Sequence, residues 1–304
     1  MFEIVFVGTG GAVPSPNRNL PATLVRHGDK KFLIDCGDGT VRQLAARSHV
    51  QGLGKALTEP FRVLITHEHI DHLLGIGTLF YYLDMTTNAK RVEVYAPARA
   101  ASRIEALLDM VNVKGDLKVV LNVISPGIVY QDDEIVCEAF GTGHTEESCG
   151  FMFAERPKRH LLTDKLDRLG VPEGDLRRRL ASGNSVTLPT GAVVRPDEVF
   201  GPPSEGQKLV VTGDAALTPG LIQSCEGADC IVAEAPYLEV DRSLATKNRH
   251  LTASDAALVA SKANAKQLYL HHLSTRYRDD DVLAEANHTF TNAYVTKDFD
   301  YVKV

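Results

Sequence analysis

The segment THEHIDH, from Thr66 to His72, constrains the fold more strongly than any other part of the sequence. It directly follows the apolar, β-branched run FRVLI, which predicts a buried strand. Alternate residues of an extended chain point to the same side, so His67 and His69 can converge on one metal ion. A turn before the next helix can direct Asp71 and His72 towards a second ion. Imidazole and carboxylate groups in this combination suit Zn²⁺, and less often Mn²⁺ or Fe.

Further candidate metal ligands lie outside this segment, each after a strand-like run: His144, Asp214 and His272. Each is a weak signal alone, because a histidine after a strand is commonly a surface residue and Gly-Asp is commonly a turn. Together with the histidine-rich segment they make two groups of ligands, and a carboxylate such as Asp214 can bridge two cations. His271 remains an alternative to His272, because as the last strand residue it can also face the core.

Strand-like and helix-like segments alternate along both halves of the chain. Predicted strands include residues 2–8, 208–212, 230–233 and 267–271, and residues 23–35 are predicted to form two strands around a His-Gly-Asp turn. Thr252, with Asp255 three residues later, has the capping-box pattern of a helix start. This alternation predicts an α/β protein, one domain built from two similar halves around a sheet core.

Composition narrows the class of protein. With a net charge of −6 over 304 residues, the protein is not basic over its whole surface, so any RNA contact requires a local basic patch. The five cysteines are odd in number and include no Cys-x-x-Cys pair, which favours a reduced intracellular protein. The N-terminus lacks a signal-peptide pattern, and no apolar run approaches the length of a membrane-spanning helix. We therefore expect a cytoplasmic protein with no membrane partner.

Residues 155–195 differ in character from the rest of the chain. Residues 155–180 hold eight Lys and Arg against five Asp and Glu, and their apolar residues show poor periodicity. Arg177, Arg178 and Arg179 are consecutive there. We interpret the segment as an inserted basic arm of mixed loop and short helix.

Several stretches resemble the metallo-β-lactamase superfamily and, within it, the ribonuclease Z family. They are the opening GTGGAVPSPNRNLPATLV, the following FLIDCGDGTVRQL, and the block LGVPEGDLRRRLASGNSVTLPTGAVVRPDEVFGPP, which most members of the superfamily lack. Residues 250–252 (HLT) and 272–277 (HLSTRY) resemble the family motifs His-x-Thr and His-x-Ser-x-Arg-Tyr. The leading histidine of the second motif is the family's ligand, which selects His272 over His271. The resemblance covers nearly the whole chain.

The resemblance implies a metallo-β-lactamase αββα sandwich over residues 1–304 with the arm inserted, two Zn²⁺ per subunit (Mn²⁺ or Fe being possible), and a homodimer. One ion would be held by His67, His69, His144 and Asp214, and the other by Asp71, His72, Asp214 and His272. The implied catalytic residues are Asp71, His250 and Glu234.

The implied activity is that of a zinc-dependent endoribonuclease that removes 3′ trailers from tRNA precursors. Water activated at the metals attacks phosphorus, His250 protonates the departing 3′ oxygen, and Glu234 orients the imidazole ring. The mature tRNA keeps a 3′ hydroxyl. Ser274 and Arg276 are expected to contact a substrate phosphate. Arg177, Arg178 and Arg179 would contribute from the arm, which in the family grips the tRNA elbow.

Two other functions are compatible with these residues. The arm has Pro172-Glu173-Gly174-Asp175 where the family usually has Pro-Pro-Gly-Pro, and the two acids oppose phosphate binding. A hydrolase of small phosphodiesters, aryl sulfates or lactones would use the same metals without needing the arm. A non-catalytic RNA-binding relative is a remote alternative, which the full set of ligands disfavours.

Overall fold

The computed structural model describes residues 1–46, 61–86, 91–111 and 117–304. The chain divides into two compact units, one of residues 1–154 with 207–304 and the other of residues 155–206. Among the described residues, no helix combines the length and hydrophobicity needed to cross a membrane.

Within the described residues, the larger unit contains two seven-stranded sheets. The first comprises β1 (Glu3–Gly8), β2 (Ala22–His27), β3 (Lys30–Ile34), β4 (Phe61–Leu64), β5 (Arg91–Ala96), β6 (Lys118–Val123) and β18 (Tyr301–Lys303), in the order β18-β1-β2-β3-β4-β5-β6. The second comprises β7 (Gly127–Gln131), β8 (Ile135–Gly141), β9 (Cys149–Glu155), β14 (Lys208–Val211), β15 (Cys230–Glu234), β16 (Gln267–His271) and β17 (Ala293–Val295), in the order β17-β16-β15-β14-β9-β8-β7.

Helices cover the outer faces of both sheets. Those of the larger unit are α1 (Thr40–Ala46), α2 (Ile70–Leu73), α3 (Gly75–Thr86), α4 (Ala98–Val111), α8 (Pro219–Cys225), α9 (Arg242–Asn248), α10 (Ala253–Lys262) and α11 (Asp279–Asn287), with a 3₁₀ turn at Glu239–Asp241. One apolar cluster joins the facing sides of the two sheets, as at Phe32 and Phe153. Two others join each sheet to its helices. The layers are therefore helix, sheet, sheet and helix, and the predicted αββα sandwich is confirmed.

The sheet topology brings polar residues to one edge of each sheet. Strands β3 to β6 are mutually parallel, as are β14 to β17. The carboxyl ends of parallel strands meet at the same sheet edge, where α/β proteins commonly bind ligands. His67 comes shortly after β4, Asp214 after β14, and His272 directly after β16. At Gly213 φ is +61°, and a Cβ there would lie 2.7 Å from the Thr66 Cγ2 atom, so glycine is required beside Asp214.

The smaller unit contains β10 (Lys158–Leu161), α5 (Thr163–Arg168), α6 (Asp175–Ala181), β11 (Val186–Thr187), β12 (Val193–Val194), α7 (Pro196–Val199) and β13 (Phe200–Ser204). It includes the predicted arm and extends past residue 195 to Gly206. Although the apolar residues of this segment lack a regular period, Leu166, Leu180 and Val199 are buried in one apolar cluster within this unit. The cluster gathers residues from short elements whose spacing has no helical or strand period.

Candidate metal centre

The predicted ligand side chains come together in two neighbouring groups at the carboxyl edges of the sheets. The first group contains His67, His69, His144 and Asp214, and the second contains Asp71, His72 and His272. Within each group the potential ligand atoms all lie within 4.8 Å of one another. Short loops after β4, β8, β14 and β16 and the short helix α2 therefore converge on one place from distant parts of the chain.

Asp214 lies between the two groups and offers one oxygen to each. Its Oδ2 atom is 3.8 Å from the Nε2 atoms of both His67 and His144. Its Oδ1 atom is 3.4 Å from His72 Nε2 and 3.5 Å from His272 Nε2. This is the arrangement expected of a carboxylate that bridges two cations.

The remaining distances within the groups are equally short. The Nδ1 atom of His69 is 3.2 Å from the Nε2 atom of His144. In the second group, the Nε2 atoms of His72 and His272 are 3.2 Å apart, and Asp71 Oδ2 is 3.5 Å from each.

The donor atoms fit divalent cations such as Zn²⁺. Ligands that bind Zn²⁺ tetrahedrally at about 2.0–2.1 Å are separated from one another by about 3.3–3.4 Å. The observed separations of 3.2–3.8 Å span this value. The His67 Nε2 and Asp214 Oδ1 atoms are buried and make no hydrogen bond within the described structure. Because an unsatisfied buried polar atom is costly, this pattern is typical of metal ligands.

Asp35, which no sequence pattern singled out, supports both groups. Its Oδ2 atom lies 2.7 Å from His72 Nδ1, which leaves His72 Nε2 directed at the cluster. Its carboxylate also accepts hydrogen bonds from the backbone N–H of Thr66 (2.8 Å) and from the Thr66 hydroxyl, which lies 2.9 Å from His67 Nδ1. Such outer partners fix the tautomer and orientation of metal-binding histidines. The available signal was an aspartate directly after an apolar, strand-like run.

A backbone carbonyl orients the His144 ring in the same way, because His144 Nδ1 lies 3.0 Å from the Arg249 carbonyl oxygen. Arg249 adopts the left-handed conformation, with φ of 56°, at the end of α9. A non-glycine residue there is strained, which indicates that the surrounding structure holds this carbonyl in place.

The electrostatics of the cluster favour metal binding. Burial lowers the pKa of His67 and of His69, so both rings stay neutral and keep a lone pair for a metal. Burial alone would raise the pKa of Asp214, but the neighbouring His272 and His72 hold it well below its usual range. The carboxylate is therefore ionised.

His250 and Glu234, the pair that the family resemblance implies, are hydrogen-bonded to each other beside the cluster. His250 Nδ1 lies 2.7 Å from Glu234 Oε2. The fully buried Glu234 also accepts hydrogen bonds through Oε1 from the backbone N–H groups of Ala215 (2.8 Å) and Leu251 (3.1 Å). Burial would lower the pKa of His250, but the Glu234 carboxylate outweighs it and raises the pKa to about 9. The pair holds a proton on a ring of fixed orientation.

The structure separates the two adjacent histidines that the sequence left as alternatives. His272 joins the cluster, with φ of 55°. His271 is buried, and neither of its ring nitrogens makes a hydrogen bond within the described residues. Burial lowers the pKa of His271 to about 3, so the ring is neutral.

The predicted substrate-binding residues lie in two different places. Ser274 and Arg276 line a pocket that also includes His250 and His272. Arg276 is largely exposed, and its Nη1 atom is 3.9 Å from Asp241.

The three arginines of the arm lie on α6. Arg177 binds the Asp167 carboxylate at 2.6 Å and donates to the Val171 carbonyl. Arg178 pairs with Asp175, whereas Arg179 is exposed. Two of the three guanidinium groups therefore already have acceptors within the arm.

Comparisons with known proteins agree on the fold. Residues 2–165 match the family model described as "Anti-Pycsar protein Apyc1". The chain is 38% identical over 307 residues to a ribonuclease Z of Bradyrhizobium sp. (strain ORS 278) and 40% identical over 307 residues to one of Bradyrhizobium diazoefficiens. Each alignment covers 100% of this chain and 100% of the relative. The metallo-β-lactamase fold protein YhfI from Bacillus subtilis superposes with a TM-score of 0.70 at 17% identity, over 99% of this chain and 98% of that one. The short form of human tRNase Z gives 0.67 at 21% identity, over 99% of each chain. The predicted metallo-β-lactamase fold is confirmed.

Proposed function

The chain belongs to the ribonuclease Z family and, over residues 2–165, to the family of the anti-Pycsar protein Apyc1, and from this premise we propose that it is a metal-dependent endoribonuclease that removes 3′ trailers from tRNA precursors. The observation that carries the proposal is one carboxylate, Asp214, shared between two groups of ligand atoms, with the Glu234–His250 pair alongside. Two cations and a proton donor can together catalyse phosphodiester hydrolysis.

The metal proposal follows the two groups of ligands. One Zn²⁺ would be held by His67, His69, His144 and Asp214, and a second by Asp71, His72, Asp214 and His272, with Mn²⁺ or Fe as substitutes. When bound, the two ions lower the pKa of water to about 7 and neutralise charge on the phosphoryl oxygens.

The protein's own residues position the substrate and supply a proton. Glu234 occupies the Nδ1 side of His250, which leaves Nε2 to hold a proton for the departing 3′ oxygen. The raised pKa of His250, about 9, keeps that proton on the ring at neutral pH. The backbone hydrogen bonds to Glu234 keep its carboxylate fixed, so the ring cannot rotate away. Ser274 and Arg276 are placed in the adjacent pocket, where a hydroxyl and a guanidinium suit a substrate phosphate.

The homodimer proposal is supported by exposed apolar residues on α2 and α3 and the turn between them. Ile70, Leu74, Tyr81 and Met85 are 62%, 45%, 58% and 63% exposed, and the four-residue spacing within each pair, Ile70 with Leu74 and Tyr81 with Met85, is that of neighbours on a helix surface. We expect Tyr81→Glu to shift the protein to a monomer in sedimentation velocity, whereas Met110→Glu, at an exposed methionine of α4, leaves the dimer intact. A wild-type monomer at micromolar concentration would refute the proposal.

The proposed cytoplasmic location rests on the cysteines. All five are free and buried. A reducing compartment preserves such thiols.

Incubation of metal-loaded protein with a tRNA precursor, followed by mapping of both product ends, tests the main proposal. We expect one cut after the discriminator base, with a 3′ hydroxyl on the tRNA and a 5′ phosphate on the trailer. Asp214→Asn should abolish it, because that side chain is shared by both ligand groups. Intact precursor in the presence of bound metal would refute the proposal.

A second candidate, hydrolysis of small phosphodiesters, is favoured by the internal ion pairs of the arm. Arg177 and Arg178 are bound to Asp167 and Asp175, which weakens the arm as a phosphate-binding surface. Rapid hydrolysis of bis(p-nitrophenyl) phosphate together with intact tRNA precursor would support this candidate. The non-catalytic alternative is disfavoured because the ligands and the Glu234–His250 pair are assembled.

A further inference from the structure

The pocket that contains Ser274 and Arg276 has the chemistry of a nucleobase site. Its buried part is apolar and includes Pro236 and Leu273, next to the half-buried ring of Tyr237. Loop residues 11–13 (GAV) complete the apolar lining. Hydroxyls and one guanidinium lie towards solvent. An apolar surface with a few polar groups at its margin suits a base, while Ser274 and Arg276 at that margin suit the phosphate beside it.

A row of aromatic rings connects this pocket to the metal centre. The centroid of Tyr237 is 5.8 Å from that of His250, and the centroid of His250 is 6.0 Å from that of His272, with which it is stacked. His272 is stacked in turn on His72, at 5.1 Å. The Tyr237 ring therefore lies directly beside the ring of the proton donor. A group seated on it belongs to a nucleotide that adjoins the scissile phosphate.

Tyr237 is held in place before any substrate binds. Its hydroxyl accepts a hydrogen bond from Asn248 Nδ2 at 2.8 Å. Its backbone carbonyl accepts one from Ala253 N–H at 2.9 Å, and the residue forms a bridge with Thr252. Because the ring is fixed at both ends, stacking on it costs little side-chain entropy. The prepared ring surface points to a binding role rather than to simple packing.

We propose that Tyr237 is the stacking platform for the nucleobase of a nucleotide directly flanking the scissile phosphate. This proposal rests on the proposed endoribonuclease function and extends it to a residue outside the predicted site. Stacking on an aromatic side chain contributes about 1–3 kcal/mol per base and tolerates different bases. Tyr237 therefore determines that the substrate is a nucleotide rather than a bare phosphodiester, without selecting one base.

The test compares an intact RNA substrate with substrates that carry an abasic nucleotide at one of the two flanking positions. Tyr237→Ala should lower kcat/KM on intact RNA by about 5- to 150-fold, which is the stacking contribution converted at tenfold per 1.4 kcal/mol. On the substrate that lacks the contacted base, wild type and Tyr237→Ala should be equal. The flanking position at which this equality appears identifies the bound nucleotide.

Two variants separate stacking from structure. Tyr237→Phe keeps the ring and loses the Asn248 hydrogen bond, so it should restore discrimination between intact and abasic RNA. Tyr294→Ala removes an equally large, half-exposed ring from β17, outside the pocket, and should leave that discrimination unchanged. Metal content and the midpoint of thermal unfolding are measured for all variants.

Two results would overturn the inference in different ways. If Tyr237→Ala slows cleavage of intact and both abasic substrates by the same factor, the ring has a structural role and the endoribonuclease function stands. If wild type cleaves neither RNA but hydrolyses bis(p-nitrophenyl) phosphate, the proposed function fails and the nucleobase site fails with it.

Discussion

Replacement of Glu234 by glutamine tests how the proton donor is maintained. The carboxylate accepts two backbone hydrogen bonds through Oε1 and faces His250 Nδ1 with Oε2. In Glu234→Gln the amide oxygen can keep the backbone bonds, and the amide nitrogen then donates to Nδ1. The His250 ring is therefore held neutral, and its remaining proton, on Nε2, is far less acidic than that of an imidazolium.

The magnitude follows from the pKa of His250. Glu234 raises it to about 9 from an ordinary value of 6.5, a difference that corresponds to about 3 kcal/mol. Without the carboxylate, burial holds the pKa at or below the ordinary value. Without metal, the protonated fraction at pH 8 falls from about nine tenths to about 3% at most, and an equal lowering of both pKa values by bound cations widens this ratio, so kcat/KM at this pH should fall at least about 30-fold.

The assay is the pH profile of kcat/KM for the metal-loaded enzyme on a tRNA precursor. The alkaline limb of the profile should move to lower pH in Glu234→Gln. Bound cations lower the pKa of His250 in both wild type and Glu234→Gln, so the test is the difference between their two pH profiles. Glu285→Gln, at another glutamate that accepts backbone N–H groups, should leave the profile unchanged. An alkaline limb at the wild-type position, with full metal content, would refute the proposed role of Glu234.

Three further perturbations test the metal support, the arm and the stability of the sandwich. Asp35→Asn removes the carboxylate from His72 Nδ1 and should weaken zinc binding about 10- to 100-fold in chelator competition; unchanged affinity would contradict the supporting role. Replacement of residues 159–203 by a Gly-Gly linker should abolish cleavage of tRNA precursors and spare bis(p-nitrophenyl) phosphate hydrolysis, whereas equal loss of both would make the arm structural. Asp132 accepts hydrogen bonds from the backbone N–H groups of residues 134 and 135, which overcome the effect of burial and lower its pKa to about 2 from 3.8. The ionised Asp132 therefore contributes about 2 kcal/mol to stability above pH 4, and this contribution is lost as the pH falls through 2. Asp132→Asn should lower the free energy of unfolding, measured in urea, at pH 7 but not near pH 2.

Local patterns predicted the ends of strands well, and with them most of the candidate site. His67 and His272 follow apolar runs that the structure confirms as β4 and β16. The capping box of Thr252 and Asp255 is also present at the start of α10. These features depend on residues close together in sequence, so periodicity and capping rules can detect them.

Contacts between distant segments were beyond such patterns. Asp35 reaches His72 only because β3 pairs with β4 in parallel, and no residue in either strand specifies that pairing by itself. Tyr237 lies beside His250 because of a bridge to Thr252. The apolar cluster of the arm, which includes Leu180, likewise joins short elements with no common period. The resemblance to a family supplied the ligand pairing across the two halves, which spacing alone could not.

Backbone strain is concentrated around the metal centre. Asp35, Arg249 and His272 are non-glycine residues in the left-handed conformation, with φ of 59°, 56° and 55°. This conformation costs roughly 1–2 kcal/mol for each residue, and glycine would relieve it. Glycine at position 35 or 272, however, would remove the carboxylate that holds His72 or a ligand itself, while at position 249 the carbonyl bound to His144 would lose its rigid setting. The sandwich therefore keeps a destabilising backbone conformation at the positions where the side chain and the backbone direction must both be fixed. The geometry of the ligands thus depends on the packing of the two sheets.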